Sequence, residues 1–297
     1  MNSVISVKAG VSSNASDRKY NEPPKETYIN KLPKELEAKI FSYLKPSDLG
    51  NISAVDKRRN EVVSTPGKKT LSLKDRAVYR DFAFNSKDWN KYCNKDVDME
   101  GERDFFPKNI WKELNKPCVA FPEKRIGQTH VITWMPKTIG EEPLTLNSFG
   151  RVLKEHFPEN TKYNGYDYIW NPIALEHGER KTLKSYWVFM TRDGIPASRL
   201  ESYATQQGVV ANLSKETLYE VPKTLEAVVC ISTNYFKSDK RLYSDNPWTF
   251  TRYQEQAQGS QVIVGGFDAA GFEVSSYYSY DNDNDFHGVA VCWKSGP

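Results

Sequence analysis

Cysteine and histidine are scarce in this 297-residue chain, with 4 of each, and none of them falls in a ligand pair. Cys93, Cys118, Cys230 and Cys292 form no CxxC, and His130, His156, His177 and His287 form no HExxH. These spacings argue against a structural zinc and a disulfide frame, and a chain this long buries enough surface to need neither. Free, buried thiols and no metal or cofactor are therefore expected. Also missing is any apolar run near the ~18 residues that a membrane span requires. The start, MNSVISVKAGVSSNASDRKYNEPPKE, lacks the apolar core of a secretory signal, so a cytosolic protein is expected. No excess of one charge is present: 41 Lys and Arg against 38 Asp and Glu suit neither a nucleic-acid coat nor an acidic tail. Neither a repeat of fixed period nor a GxSxG, Walker or kinase signature occurs.

What is present divides into four stretches. Residues 1–24 are rich in Ser, Asn and Lys and end on Pro23-Pro24, the composition of a flexible tail. Within 25–66, Leu32, Leu36, Ile40, Phe41 and Leu44 recur at helical spacing, with Pro33 in a first turn and Pro46 ending the run. Leu49 and Ile52, then Val55, Val62 and Val63, mark two further short helices. Such a unit buries too little alone and calls for a neighbour to cover its apolar face. Residues 67–118 are charged and helical, with Leu71, Leu73, Val78, Phe82, Ile110, Trp111 and Leu114 as apolar positions, and read as a helical connector.

From 119 to 297 the pattern is that of an α+β domain, with helices packed on an antiparallel sheet. Helices are expected at 145–157, 199–213 and 222–236, and a buried strand at 185–191. Strands at 248–254, 261–267, 272–278 and 286–293 follow, separated by Gly- and Asn/Asp-rich turns. Gly265, Gly266 and Gly271 are followed by strand-like alternation, which predicts a hairpin and not a phosphate cradle. Asp281, Asp283 and Asp285 imitate a calcium loop, but Phe286 and Cys292 stand where that loop needs Gly and Glu, so a polar hairpin tip is expected.

The segment YINKLPKELEAKIFSYLKPSDLGNISAVDKRRNEVVS, residues 28–64, resembles the F-box, which docks onto the Skp-family linker protein of cullin–RING ubiquitin ligases. Leu32, Pro33, Leu36, Ile40, Phe41, Leu44, Pro46, Leu49, Ile52 and Val55 match; the pattern departs at Arg59, where the family usually has a Trp. The resemblance implies a three-helix unit binding the linker through these ten residues and, through the linker, a cullin. Segments WVFMTRDGIPASR and RLYSDNPWTFTR look similar to an uncharacterised domain behind F-boxes in chlamydia-related intracellular bacteria. That likeness implies an effector acting in the cytosol of a eukaryotic host.

The other constellations are weaker. Between Lys57 and Arg80 eight basic residues face only Glu61 and Asp75, with Tyr79 the one aromatic, a solvated or acidic-partner surface and not a nucleic-acid groove. Cys230 and Cys292, the latter near His287 in sequence, lie among Val, Ile and Ala, where packing outweighs nucleophilic catalysis. In strand 248–254, Trp248 and Phe250 share one face and Tyr253 the other, while Tyr278 adds to an unusually aromatic region. Arg252 shares the face of Trp248 and Phe250, whose bulk makes that face the expected core side and leaves Tyr253 as the candidate for target binding; Arg252 and Tyr278 are added as candidates because surplus Tyr and Trp with Arg is the composition of a protein-recognition surface. The reading is an adaptor that presents an unknown protein for ubiquitination; the alternative is an enzyme with its active site in the C-terminal domain, located by the F-box.

Overall fold

A computed structural model describes residues 71–160, 162–277 and 287–296. The tail and the F-box-like unit precede the first of these, and Tyr278 and Asp281 to Asp285 fall between the last two.

Local chemistry sets the first elements. Helix α1, Ser86–Cys93, opens on a capping box in which the Asn85 side chain accepts from the Lys87 amide and the Asn85 amide donates to the Asp88 carboxylate, and it closes on left-handed Asn94. Strand β1, His130–Met135, is buried along its whole length. Helix α2, Leu146–His156, has Thr145 as its cap and turns Leu146, Phe149, Val152 and Leu153 inward, the face expected from its 3.6-residue spacing. Strand β2, Tyr168–Ile169, is short, and β3, Tyr186–Thr191, is the buried strand expected at 185–191. Helix α3, Tyr203–Ser214, starts later than expected, because residues 193–200 form a loop with a 3-10 turn at Pro196–Ser198. Helix α4, Thr224–Ser238, is the long apolar helix.

The remaining strands are β4, Phe250–Ala257; β5, Ser260–Gly265; β6, Glu273–Tyr277; β7, His287–Val289; and β8, Cys292–Ser295. They build two sheets. One is antiparallel in the order β8-β3-β1, and the other has five strands in the order β7-β4-β5-β6-β2. Antiparallel pairing dominates, as the sequence pattern predicts, with parallel pairs at both edges of the larger sheet, β7 on β4 and β2 on β6. Helix α4 lies against both sheets, touching β1, β3, β4 and β5. The α+β class is thus the one expected.

The apolar run 286–293 is not one strand. His287–Val289 belongs to the larger sheet and Cys292–Ser295 to the smaller, so the chain crosses between sheets through buried Ala290 and Val291. Val291 is held in the crossing by bonds in both directions with Thr191, whose amide donates to its carbonyl and whose hydroxyl accepts from its amide.

Helix α4 is fixed by a buried carboxylate. Glu226, in its first turn, accepts from the Tyr186 hydroxyl at 2.6 Å and the Lys294 ammonium at 2.8 Å, and its second oxygen accepts from the Lys223 amide. Burial alone would push Lys294 toward neutrality, but Glu226 holds its pKa above the ordinary lysine value. Three polar partners thus offset the desolvation of Glu226.

Residues 71–118, the described part of the expected connector, are not a connector. From residue 71 on, the described chain belongs to one compact unit, and Val78, Phe84, Trp89, Phe106 and Ile110 share a core with Trp134, Trp187 and Val229. Three indoles weld the two parts: Trp89 donates to the Trp134 carbonyl at 3.0 Å, Trp134 to Asp98 at 2.8 Å, and Trp187 to Glu102 at 2.7 Å. Trp134 and Trp187 are also direct cross-strand partners. A fragment beginning at residue 119 therefore lacks one partner of each of the three bonds. It should show no cooperative thermal transition by circular dichroism, whereas a fragment beginning at 71 should melt cooperatively. In the full chain, Trp187→Ala should cost about 3–5 kcal/mol by denaturant unfolding.

Candidate functional site

The ten F-box positions, Leu32 to Val55, lie outside the described residues, as does Tyr278. The other two candidates are described, and both are corrected. Tyr253 is 0% exposed, and Arg252 is buried as well. Both faces of the larger sheet are covered; on the side of Arg252, its guanidinium donates to the Glu201 carbonyl and the Gln254 side-chain amide donates to the Val221 carbonyl, while the Tyr203 hydroxyl donates to the Tyr253 carbonyl. Segment 198–222 thus covers the Phe250 and Arg252 side, and Tyr253, on the face that alternation left open, packs in the main core. Trp248, expected inside with Phe250, is 53% exposed.

Its placement follows from the loops around it. Phe250 is the first residue of β4 and is buried, while Trp248 precedes the strand in a tight turn where Asp245 bridges back to it. Gly266, at φ +61°, lets the chain pass the Phe250 ring; a Cβ there would sit 2.8 Å from the ring. Trp248 rests on the same ring at 5.7 Å between centroids. The neighbouring loop is equally fixed. Buried Ser198 donates to the Ile195 carbonyl at 2.7 Å and accepts from the Val289 amide at 3.0 Å, while Gln206 donates to the Ser198 and His287 carbonyls. Leu200, next in this loop, is 54% exposed and has φ +63°, a backbone region that branched side chains rarely enter. The Arg199 guanidinium joins the two loops, donating to Thr249 at 3.1 Å and to Asp193 at 3.3 Å. Two apolar side chains are therefore displayed on pinned backbone at one end of the larger sheet. Sequence reasoning placed Trp248 in the core and missed Leu200, whose only signal is its position after the Pro196–Ser198 turn.

The cysteine thiols and three of the four histidines, His130, His177 and His287, are buried, while His156 is half-buried. All four cysteines are buried, and burial pushes the thiols of Cys93 and Cys230 up to about 12, so neither forms a thiolate near neutrality. His130 comes nearest to a catalytic relay. Its Nδ1 lies 2.9 Å from the Thr129 hydroxyl, its Nε2 lies 3.1 Å from the Tyr219 hydroxyl, and Tyr219 approaches Cys118 Sγ at 3.8 Å. All four residues are buried, with Trp293 packed over the imidazole, so no substrate can meet them. Burial drives His130 down to about 3. A shallow depression lined by Phe105, Pro107, Lys108, Ser295 and Gly296 contains neither histidine nor cysteine. Among the described residues no group of three or more His, Cys, Asp or Glu could hold a metal ion, and no helix is long and apolar enough to cross a membrane.

No protein-family model matches this chain, and no curated protein or solved structure matches it either.

Two buried histidines give stability a definite pH dependence. Burial holds His130 at about 3, and burial with the neighbouring Arg252 holds His287 at about 4, against about 6.5 in an unfolded chain. Below about 6.5 the unfolded state binds more protons than the folded one, so this stability is fully present above that value and falls with pH toward about 3. Urea unfolding should show a lower free energy at about pH 5 than at about pH 7. A His130→Gln variant, less stable at about pH 7, should lose less over the same interval.

Proposed function

We propose that the protein is a substrate-recognition adaptor of a cullin–RING ubiquitin ligase. The F-box-like segment 28–64 docks the Skp-family linker, and the domain from residue 71 selects the target protein. The observation that carries this reading is the motif itself: Leu32-Pro33, then Leu36, Ile40, Phe41 and Leu44 at helical spacing, then Pro46, Leu49, Ile52 and Val55, stand in F-box order. A helical unit with surplus apolar surface completes its core on a partner.

The chemistry of the described domain supports an adaptor over an enzyme. Its thiols and His130 are enclosed in packed cores, whereas Trp248 and Leu200 stand at the surface on restrained loops. Tryptophan is among the residues that dominate protein interfaces. The two segments similar to domains behind bacterial F-boxes, 187–199 and 241–252, run through this same end of the sheet. They extend the reading to an effector that works in the cytosol of a eukaryotic host, where linker and cullin are found.

In a pull-down of purified linker protein by the full chain, Leu32→Ala, Pro33→Ala and Leu44→Ala should each weaken binding. A Leu or Ile truncated at a hot spot costs on the order of 2–4 kcal/mol. The Leu32→Ala, Pro33→Ala double variant should fail to retain the linker at concentrations where the parent retains it. If that variant keeps both its melting temperature and its affinity for the linker, the F-box reading is refuted.

A further inference from the structure

Arg192 carries a charge that the fold leaves without a counter-charge. It follows the last residue of β3 and is half-buried, with its Nε donating to the His130 carbonyl at 3.0 Å and its Nη1 to the Asn234 side chain at 3.2 Å. The centre of the Phe82 ring lies 5.6 Å from the guanidinium carbon. All three partners are neutral. Burial lowers the pKa of Arg192, and no neighbouring carboxylate restores it. The same charge also helps to hold His130 down. The C-terminal end of α4 and the Phe82 ring both favour a cation here, but they supply only partial charge.

The carboxylates close by are committed elsewhere. Asp193 pairs with Arg199 at 3.3 Å, Asp88 with Lys237 at 2.8 Å and Asp81 with Arg80 at 2.7 Å. The four segments that meet at Arg192, residues 80–88, 125–130, 191–193 and 234–243, hold seven Lys and Arg against four Asp and no Glu. Asn234 brings a second cation within reach. While its side-chain oxygen accepts from Arg192, its amide donates to the Lys240 carbonyl at 2.7 Å, so the backbone of exposed Lys240 lies beside the guanidinium. The Tyr243 hydroxyl, donating to the Thr191 carbonyl at 2.5 Å, fixes the same two segments side by side. Of the five N–H groups of Arg192, the two on Nη2 meet no acceptor among the described residues, and Nη2 is not enclosed.

We propose that Arg192, assisted by Lys240, binds an oxyanion, a phosphate or a carboxylate group, at its free Nη2 edge. A guanidinium held rigidly by neutral partners meets such a group in a fixed orientation, and the anion supplies the charge that the surrounding segments lack. The site stands independently of the adaptor reading.

The test is thermal melting of the full chain in inorganic phosphate against chloride at equal ionic strength, with acetate as the planar carboxylate. Phosphate, acetate or both should raise the melting temperature of the parent, and the rise should saturate with concentration as mass action requires. Arg192→Gln should abolish the rise. Arg192→Lys, which keeps the charge but loses the planar fork, should weaken the affinity about tenfold. Lys240→Ala, at an exposed side chain, should weaken it about threefold and leave melting in chloride unchanged. In nitrogen-15 NMR spectra of the parent, the anion should move the Arg192 and Asn234 side-chain signals, a readout that holds even where an Arg192 variant fails to fold. Absence of a saturable rise with both anions overturns the proposal. An equal rise in Arg192→Gln overturns it too, as do NMR shifts confined to other residues, which would place the anion elsewhere.

Discussion

Three buried tryptophans hold the described domain together through the polar ends of their rings. An indole brings about as much apolar area as a core residue can, but its N–H must find an acceptor once water is gone. Here each acceptor is a main-chain carbonyl, at Trp134, Asp98 and Glu102. Placing the rings therefore also places the chain that supplies those carbonyls. The helical segments before residue 118 become one wall of the core, and the pairing of Trp134 with Trp187 sets the register of β1 against β3. Because side chains alternate between faces, a slip of one residue would carry every indole away from its acceptor and exchange the two faces of the strand.

The docking of α4 depends on Glu226. Its carboxylate joins the first turn of α4 to Tyr186 on β3 and to Lys294 on β8, so the helix is docked by position as well as by its apolar face. Apolar packing tolerates sliding and rotation, whereas a buried carboxylate with three partners does not. The end of β3 at Thr191 leads directly into loop 193–200. The placement of Leu200 thus follows from the same packing that orders the core.

Much of this was legible in the sequence where one element satisfied its own pattern. Helix α2 declares its buried face through Leu146, Phe149 and Leu153, β3 reads as an unbroken apolar strand, and α4 is the longest apolar helical run. What escaped depends on neighbours. Alternation in β4 separates Phe250 from Tyr253 but is silent on whether a second layer covers either side, and segment 198–222 covers the side of Arg252. The crossing at Ala290 and Val291 is as apolar as the strands around it, so no composition change marks the passage between sheets. The charged surfaces of residues 67–118 suggested a connector, because the tryptophan contacts that bind them inward lie up to 85 residues away along the chain. At the candidate surface, a left-handed leucine has no sequence signature, since Gly or Asn ordinarily marks such a position.

The passage from β7 to β8 has a dynamic consequence. With only two residues between them, neither strand can detach without pulling on the other, and both residues are enclosed. The two sheets are thereby tied into one cooperative block, and partial opening is confined to what lies outside the tie. The amides of Val289 and Val291, bonded to the Ser198 and Thr191 hydroxyls inside this block, should therefore exchange with solvent only when the whole block comes apart.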